Sequence, residues 1–214
     1  MKAVMFDLDG TLVFQTKEYI LNTVGKTISE LGLKTDENFV NDFWYCHGSN
    51  RDKIIENRLG IEYMKFWRVF WRHDVPEERV KHTGVYDDVI ALGNLRKKGV
   101  KLGIVTGALT KVANAEISKI LSRVKDCKFD YIVSNNPDAG IRQKPYPDTL
   151  LICLKGLKME NSNALYVGNS YEDVEAAIRA QVKPVVVLRE PVRRMKYDSS
   201  VKVISSLHEI EGFI

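Results

Sequence analysis

Asp7 and Asp9 stand two residues apart in DLDGT, residues 7–11, directly after the apolar run Ala3 to Phe6. The run reads as a buried strand of a parallel sheet, broken at Gly10, with Thr11 opening the exit loop. Side chains two apart on a strand project to the same side, so the two carboxylates face together with Leu8 opposite. Like charges held this close raise one pKa or demand a cation. A hard divalent ion with oxygen ligands would satisfy both. The plain alternative is a solvated, Asp-rich turn.

Further polar residues follow at what read as strand ends. Thr106 comes after the apolar KLGIV, and a hydroxyl with neighbouring N–H groups can hold phosphate oxygens there, with Gly107 allowing close approach. Lys144 lies in QKPYP, where Pro145 and Pro147 stiffen the chain and Pro147 suits a helix start. Residues 164–177, ALYVGNSYEDVEAA, read as a strand, a turn at Gly168 and a helix from near Tyr171, and carry Asn169 and Asp173. Arg189, Arg193, Arg194 and Lys196 make a basic cluster that reads as a solvated loop.

Two kinds of pattern must position these residues. Residues 16–81 have helical periodicity throughout. Ile20, Val24, Ile28 and Leu31 share one face, with Gly32 as the stop. Thr35 is the expected cap of a second helix with Phe39, Val40, Phe43 and His47 inside, ending at Gly48. Ser49 with Asp52 resembles a capping box for a third helix. Tyr63, Phe66, Trp67, Phe70 and Trp71 make an aromatic stripe expected to be core, and Asp74 with Pro76 opens a last short helix. From residue 82 helix and strand alternate: strands are predicted at 100–105, 129–134, 164–167, 184–188 and 201–204. Helices are predicted at 110–122, at 147–154 closed by Gly156, and from 171 through Ala180. Alternation of this kind predicts an α/β fold with a doubly wound parallel sheet and an active site outside the carboxyl ends of its strands. The helical block follows the first strand and should lie over that end as a lid.

Taken together, these residues resemble the haloacid dehalogenase superfamily of phosphohydrolases. Asp7, Asp9, Gly10 and Thr11 match its D-x-D-G-T motif, Thr106 its strand ending in Thr or Ser, and Lys144 its lysine in a K-P-x-P setting. Gly168, Asn169 and Asp173 are similar to its fourth motif, usually G-D-x-x-x-D, with Asn169 departing from the acidic residue. The resemblance implies a Rossmann-like core over 1–15 and 82–214, and a helical cap over 16–81 like that of the phosphoglycolate-phosphatase and beta-phosphoglucomutase-like branch. It implies that Asp7 is the nucleophile and Asp9 the general acid/base, and that Lys144, Thr106 and Gly107 hold the phosphoryl group. A magnesium ion would be held by Asp7, the Asp9 main-chain carbonyl and Asn169, with Asp173 helping through water. A carboxamide oxygen brings no charge, so Asn169 implies weaker metal binding. The second Asp favours phosphoryl transfer over carbon–halogen chemistry. The implied function is a magnesium-dependent phosphatase acting on a small phosphorylated metabolite; Arg51 of the cap is a candidate substrate contact, with a helix-surface arginine as the favoured plain reading. A phosphomutase, or a non-catalytic metabolite-binding protein, are the alternatives.

Composition is in keeping with this. The 214 residues are 44% hydrophobic and 28% charged, an ordinary globular balance. No apolar run approaches the roughly 20 residues that span a bilayer, and the first strand leaves no room for a signal peptide. A cytoplasmic protein without membrane attachment is expected. Cys46, Cys127 and Cys153 are few and scattered, unlike a disulfide framework or zinc site. A net charge of +4 suits an anionic substrate without indicating nucleic-acid binding.

Overall fold

Ala3–Phe6 forms β1, and all four side chains are buried. They alternate: Val4 and Phe6 enter one hydrophobic cluster, Ala3 and Met5 another. A strand buried on both faces needs helices on both faces, which is the reason an unbroken apolar run belongs in the middle of a parallel sheet. The computed structural model describes residues 1–45, 50–189, 197, 199 and 201–214. Elements follow in chain order: β2 (Val13–Gln15), α1 (Lys17–Glu30), α2 (Glu37–Tyr45), α3 (Arg51–Leu59), α4 (Tyr63–His73), α5 (Pro76–Lys81) and β3 (Thr83–Val85). Then come α6 (Ala91–Lys97), β4 (Lys101–Leu109), α7 (Thr110–Arg123), β5 (Tyr131–Asn135), α8 (Asp148–Leu157), β6 (Ala164–Gly168), α9 (Tyr171–Arg179), β7 (Lys183–Val187) and β8 (Lys202–Ile204).

Six strands form one sheet in the order β5-β4-β1-β6-β7-β8, and every neighbouring pair is parallel. The doubly wound α/β fold is therefore present. Leu92 and Leu95 of α6 and Ile117 and Ile120 of α7 cover one face. Leu150, Cys153 and Leu154 of α8 and Ala176 and Ala177 of α9 cover the other. Each of these leucines and isoleucines, fully buried, contributes roughly 1.5–3 kcal/mol, and the alanines less. The chain runs from β1 to β4 on one flank and later returns to β6 on the other, so a crevice opens at the carboxyl end of β1.

Helix α5 lies against α7, through Arg79 to Glu116 and the Val80 carbonyl to Lys119, whereas α1 to α4 stand apart from both sheet faces. They pack around their own cluster, Ile20, Val24 and Ile28 against Phe39, Phe43, Ile55, Phe66 and Phe70. The entry and exit of this segment are held side by side by an antiparallel ribbon, Val13 opposite Val85 and Gln15 opposite Thr83. Strands of three residues are too short for alternation to show in the sequence, and the ribbon was not predicted.

Several local expectations are corrected. Asp36, not Thr35, caps α2 by accepting from the Phe39 N–H at 2.8 Å. Asn50 caps α3, accepting from the Lys53 N–H at 2.9 Å. Asp52 instead takes the Trp67 indole N–H at 2.8 Å, while Cys46, His47, Gly48 and Ser49 lie outside the described residues. Gly156 does not end a helix; it lies within α8, where any Cβ would collide with the Tyr131 ring. The helix closes instead at Lys158, in left-handed conformation.

Candidate active site

Asp7 follows β1, and its N–H is held by the Val167 carbonyl of β6 at 2.9 Å. The chain then turns tightly, with Gly10 N–H on the Val13 carbonyl at 2.7 Å and Leu12 N–H on Leu8 at 2.9 Å. Gly10 has φ +75°, and a Cβ there would collide with the Asn169 side chain. Both the backbone conformation and the close approach require glycine. The turn thereby brings the loop after β6 against the loop after β1.

The Asp7 carboxylate is buried and accepts from Lys144 Nζ at 2.7 Å on Oδ1. The Thr11 hydroxyl lies 3.3 Å from its Oδ2 and 3.4 Å from Asn169 Oδ1, so one proton serves two oxygens. Lys144 also donates to Asp173 Oδ1 at 2.6 Å and to the Tyr166 hydroxyl at 2.9 Å. The second Asp173 oxygen accepts from the N–H of Asn169 at 3.1 Å, the N–H of Ser170 at 2.9 Å and the Ser170 hydroxyl at 2.7 Å. Ser170 and Asp173 together make the capping box that starts α9. Burial pushes the Asp7 carboxyl up to about 7, against the pull of Lys144. Burial acts the same way on Asp173, but Lys144 and Ser170 outweigh it and hold its carboxyl below the usual range. Burial also disfavours the Lys144 charge, yet Asp173 and Asp7 keep it firmly protonated.

Asp9 lines the same cavity but has a different cation as its partner. Its side chain is 26% exposed, and Oδ1 pairs with Arg79 Nη2 of α5. Arg79 is buried, with Nη1 2.9 Å from both Asp74 oxygens and Nε 2.8 Å from Glu116 Oε1 of α7. Gln15 donates to the same Glu116 oxygen at 2.8 Å, and the Tyr19 hydroxyl to Asp74 at 2.8 Å. Glu116 Oε2 is buried without a hydrogen-bond partner among the described residues. Burial pushes the Glu116 carboxyl up to about 7, with Arg79 opposing.

A cavity of about 680 Å³ opens over these groups, between the sheet end and the helical segment. Asp7, Asp9, Thr106, Gly107, Lys144, Asn169, Asp173 and Arg51, the residues singled out in the sequence, all line it. Thr106 is buried at a register shift in β4, its hydroxyl accepting from the Ala108 N–H at 3.1 Å. A Cβ at Gly107 would meet nothing within 4 Å, so that side of the backbone is open to the cavity. The Arg51 guanidinium donates to the Phe43 and Trp44 carbonyls at 3.2 and 3.1 Å and to Glu172 at 3.0 Å. It thus ties α2 and α3 to α9.

The ligands that the resemblance implies around Asp7 are all oxygen: its carboxylate, the Asp9 carbonyl and the Asn169 carboxamide. That set fits a hard ion such as magnesium. Among the described residues no three His, Cys, Asp or Glu side chains converge on a metal position, so the carboxamide and the main chain would have to contribute. Both Asp173 oxygens already accept from protein donors, which suits a group that positions Lys144 and the Asn169 loop.

Some residues escaped the sequence. Arg79 and Glu116 carry no local pattern linking them to Asp9. Ser170 and Asp173 do have capping-box spacing, which could have been read. Arg189 is corrected from a solvated loop: it is buried, donates to the Thr11 carbonyl at 2.9 Å and forms a two-pronged pair with Asp88. Arg193, Arg194 and Lys196 lie outside the described residues. The aromatic stripe is core only in part: Phe66 and Phe70 are buried, whereas Tyr63, Trp67 and Trp71 are half-buried on the cavity wall.

Comparison with known proteins places the geometry in context. Residues 4–187 match the family model of haloacid dehalogenase-like hydrolases. A phosphoglycolate phosphatase of Aquifex aeolicus is 33% identical over 88% of this chain and 85% of its own. The pyrophosphatase PpaX of Bacillus velezensis is 29% identical over 85% of this chain and 80% of its own. A haloacid dehalogenase-like hydrolase from Streptococcus pneumoniae has the same fold, with TM-score 0.75 at 18% identity over 100% of this chain and 99% of its own. No helix among the described residues is long and apolar enough to cross a membrane.

Proposed function

The chain belongs to the haloacid dehalogenase-like hydrolase family and is a phosphatase, and on that premise we propose that it hydrolyses a small phosphorylated metabolite in the cytoplasm through an aspartyl-phosphate intermediate, with magnesium bound. The observation that carries the reading is the Asp7 carboxylate, buried at the end of the central strand, held by Lys144 at 2.7 Å and Thr11 at 3.3 Å, and facing the cavity beside Asp9.

An Asp7 oxygen attacks phosphorus in line while the bond from phosphorus to the ester oxygen breaks, leaving the phosphoryl group on Asp7. Asp9 gives its proton to the departing alcohol oxygen. It then takes a proton from water as that water attacks phosphorus and the bond to Asp7 breaks. The sum is ester plus water giving alcohol plus phosphate. Thr106, the neighbouring backbone of Gly107, and Lys144 hold the phosphoryl oxygens. Magnesium held by Asp7, the Asp9 carbonyl and Asn169 would add positive charge against those oxygens. Asp173 keeps Lys144 in place. The helices of 16–81 act as a cap over the core of 1–15 and 82–214, excluding water and selecting the alcohol. Arg51, bonded to Glu172, fastens that cap.

The test is phosphate release from a panel of phosphate esters, together with a search for phosphate covalently bound to the chain and labile to hydroxylamine. Asp7→Asn keeps the shape and removes the nucleophile, so turnover should fall by at least about a thousandfold and the covalent phosphate vanish. An Asp7→Asn variant that still releases phosphate at a near-normal rate would overturn the assignment.

A further inference from the structure

The phosphoryl end of the cavity is occupied by Asp7, Thr106 and Lys144, which leaves most of its roughly 680 Å³ for the leaving group. That remainder is walled by Trp44, Tyr63, Trp67 and Trp71 from the helical segment, and Phe14 and Tyr86 also line the cavity. The Trp67 and Trp71 rings lie parallel, 6.1 Å apart at 19°. The Trp67 indole N–H is already donated to Asp52, and its ring also packs on Phe43, Phe66, Phe70 and Trp71, so what it offers a ligand is the ring edge and face left on the cavity side. This wall starts at the proton donor. Arg79, which pairs with Asp9, has its guanidinium 5.8 Å from the Trp44 ring centre. The aromatic surface therefore lies on the side from which the ester oxygen departs.

Charge narrows the class further. Among the described residues five cations reach the cavity, and each is already ion-paired: Arg51 with Glu172, Arg79 with Asp9, Asp74 and Glu116, Arg142 with Asp148, Lys144 with Asp7 and Asp173, and Arg189 with Asp88. Asp52 adds a carboxylate to the aromatic wall itself. A leaving group with a second anion, such as a carboxylate or another phosphate, carries two costs: it competes with the carboxylates that already share these cations, of which only Arg142 is largely exposed, and it approaches Asp52. A flat uncharged group stacks on the indoles without either cost.

We infer that the substrate is a phosphate monoester of an uncharged alcohol that carries an aromatic ring. This rests on the phosphatase reading. The experiment compares kcat/KM for benzyl phosphate, ethyl phosphate and 2-phosphoglycolate with magnesium present. Benzyl and ethyl phosphate both release simple alkanols, so their ratio reports on the ring. Benzyl phosphate should exceed ethyl phosphate by at least about tenfold, the factor that a single good stacking contact supplies. Phosphoglycolate should fall below both. Trp67→Leu and Trp71→Leu should each shrink the benzyl-to-ethyl ratio several-fold. Faster turnover of phosphoglycolate than of benzyl phosphate overturns the inference and leaves the phosphatase reading standing. So does a ratio that neither tryptophan variant changes. No phosphate from these esters or from any other ester tested overturns the phosphatase reading itself, and the inference with it.

Discussion

Lys144 and Arg79 are both buried cations that hold a carboxylate of the DLDGT turn, but they are built differently. Lys144 bridges Asp7 and Asp173, and its partners come from the end of β1, β6 and α9, all at the sheet and its covering helices. Every oxygen around it has a donor. Arg79 gathers three carboxylates: Asp9 from the turn, Asp74 just after α4 and Glu116 from α7, with Gln15 and Thr83 of the ribbon beside them. One of its carboxylate oxygens, Glu116 Oε2, is left without a partner. The Lys144 cluster is complete once the sheet has formed. The Arg79 cluster exists only where the helical segment meets the sheet. Asp7 is therefore oriented by the core alone, while the orientation of Asp9 depends on the helical segment being in place.

Breaking the first cluster should cost most. Lys144→Met leaves Asp7 and Asp173 buried without their cation, which should destabilise the fold by about 3–5 kcal/mol and reduce phosphate release by at least about a thousandfold. Urea unfolding and the phosphate assay read the two effects. A variant as stable as the parent chain would show that Lys144 is not what compensates these carboxylates.

Arg79→Lys keeps the charge of the second cluster and removes the fork that reaches three partners. The fold should survive, with kcat lower by roughly tenfold to a hundredfold because Asp9 loses its orientation. KM should move much less. If KM rises and kcat holds, Arg79 acts on substrate binding and not through Asp9.

Asn169→Asp tests the uncharged position beside the first cluster. An added negative charge near a bound magnesium should lower the concentration giving half-maximal activity by about tenfold. The magnesium-dependent rise in Tm, measured without substrate, should shift by a similar factor. Superimposable titrations would separate residue 169 from the metal.

The smallest effect belongs to Glu116. Its folded carboxyl titrates at about 7 against an ordinary 4.5, so the folded chain binds this proton more tightly than the unfolded one. The resulting stability is complete below about 4.5 and is lost as pH rises through about 7. Glu116→Gln cannot titrate. The Tm of the parent chain relative to this variant should therefore fall between pH 5 and pH 8, and a pH-independent difference would contradict the burial of this group.

Much of the sheet was legible in the residues themselves. An unbroken apolar run such as Ala3–Phe6 and the alternation of helix and strand after residue 82 are properties of neighbouring side chains, and so is the DLDGT turn. Gly10 is legible as glycine, but only the structure shows that Asn169 presses against it. What tertiary structure decided is of another kind. Arg79 lies 70 residues from Asp9, and no periodicity joins them. The stripe of α4 has one helical spacing, yet Phe66 is wholly core, Phe70 is buried but reaches the cavity, and Trp67 and Trp71 are half-buried on the cavity wall. Spacing says which residues share a face of a helix; what that face meets is settled by the elements packed against it. Gly156 is a helix stop by local preference and a helix interior in fact, because the Tyr131 ring occupies the place of its side chain. Local preferences act over a turn or a strand, whereas burial, ion pairing and desolvation act between whatever the fold brings together, and the pairing of Asp9 with Arg79 is of that second kind.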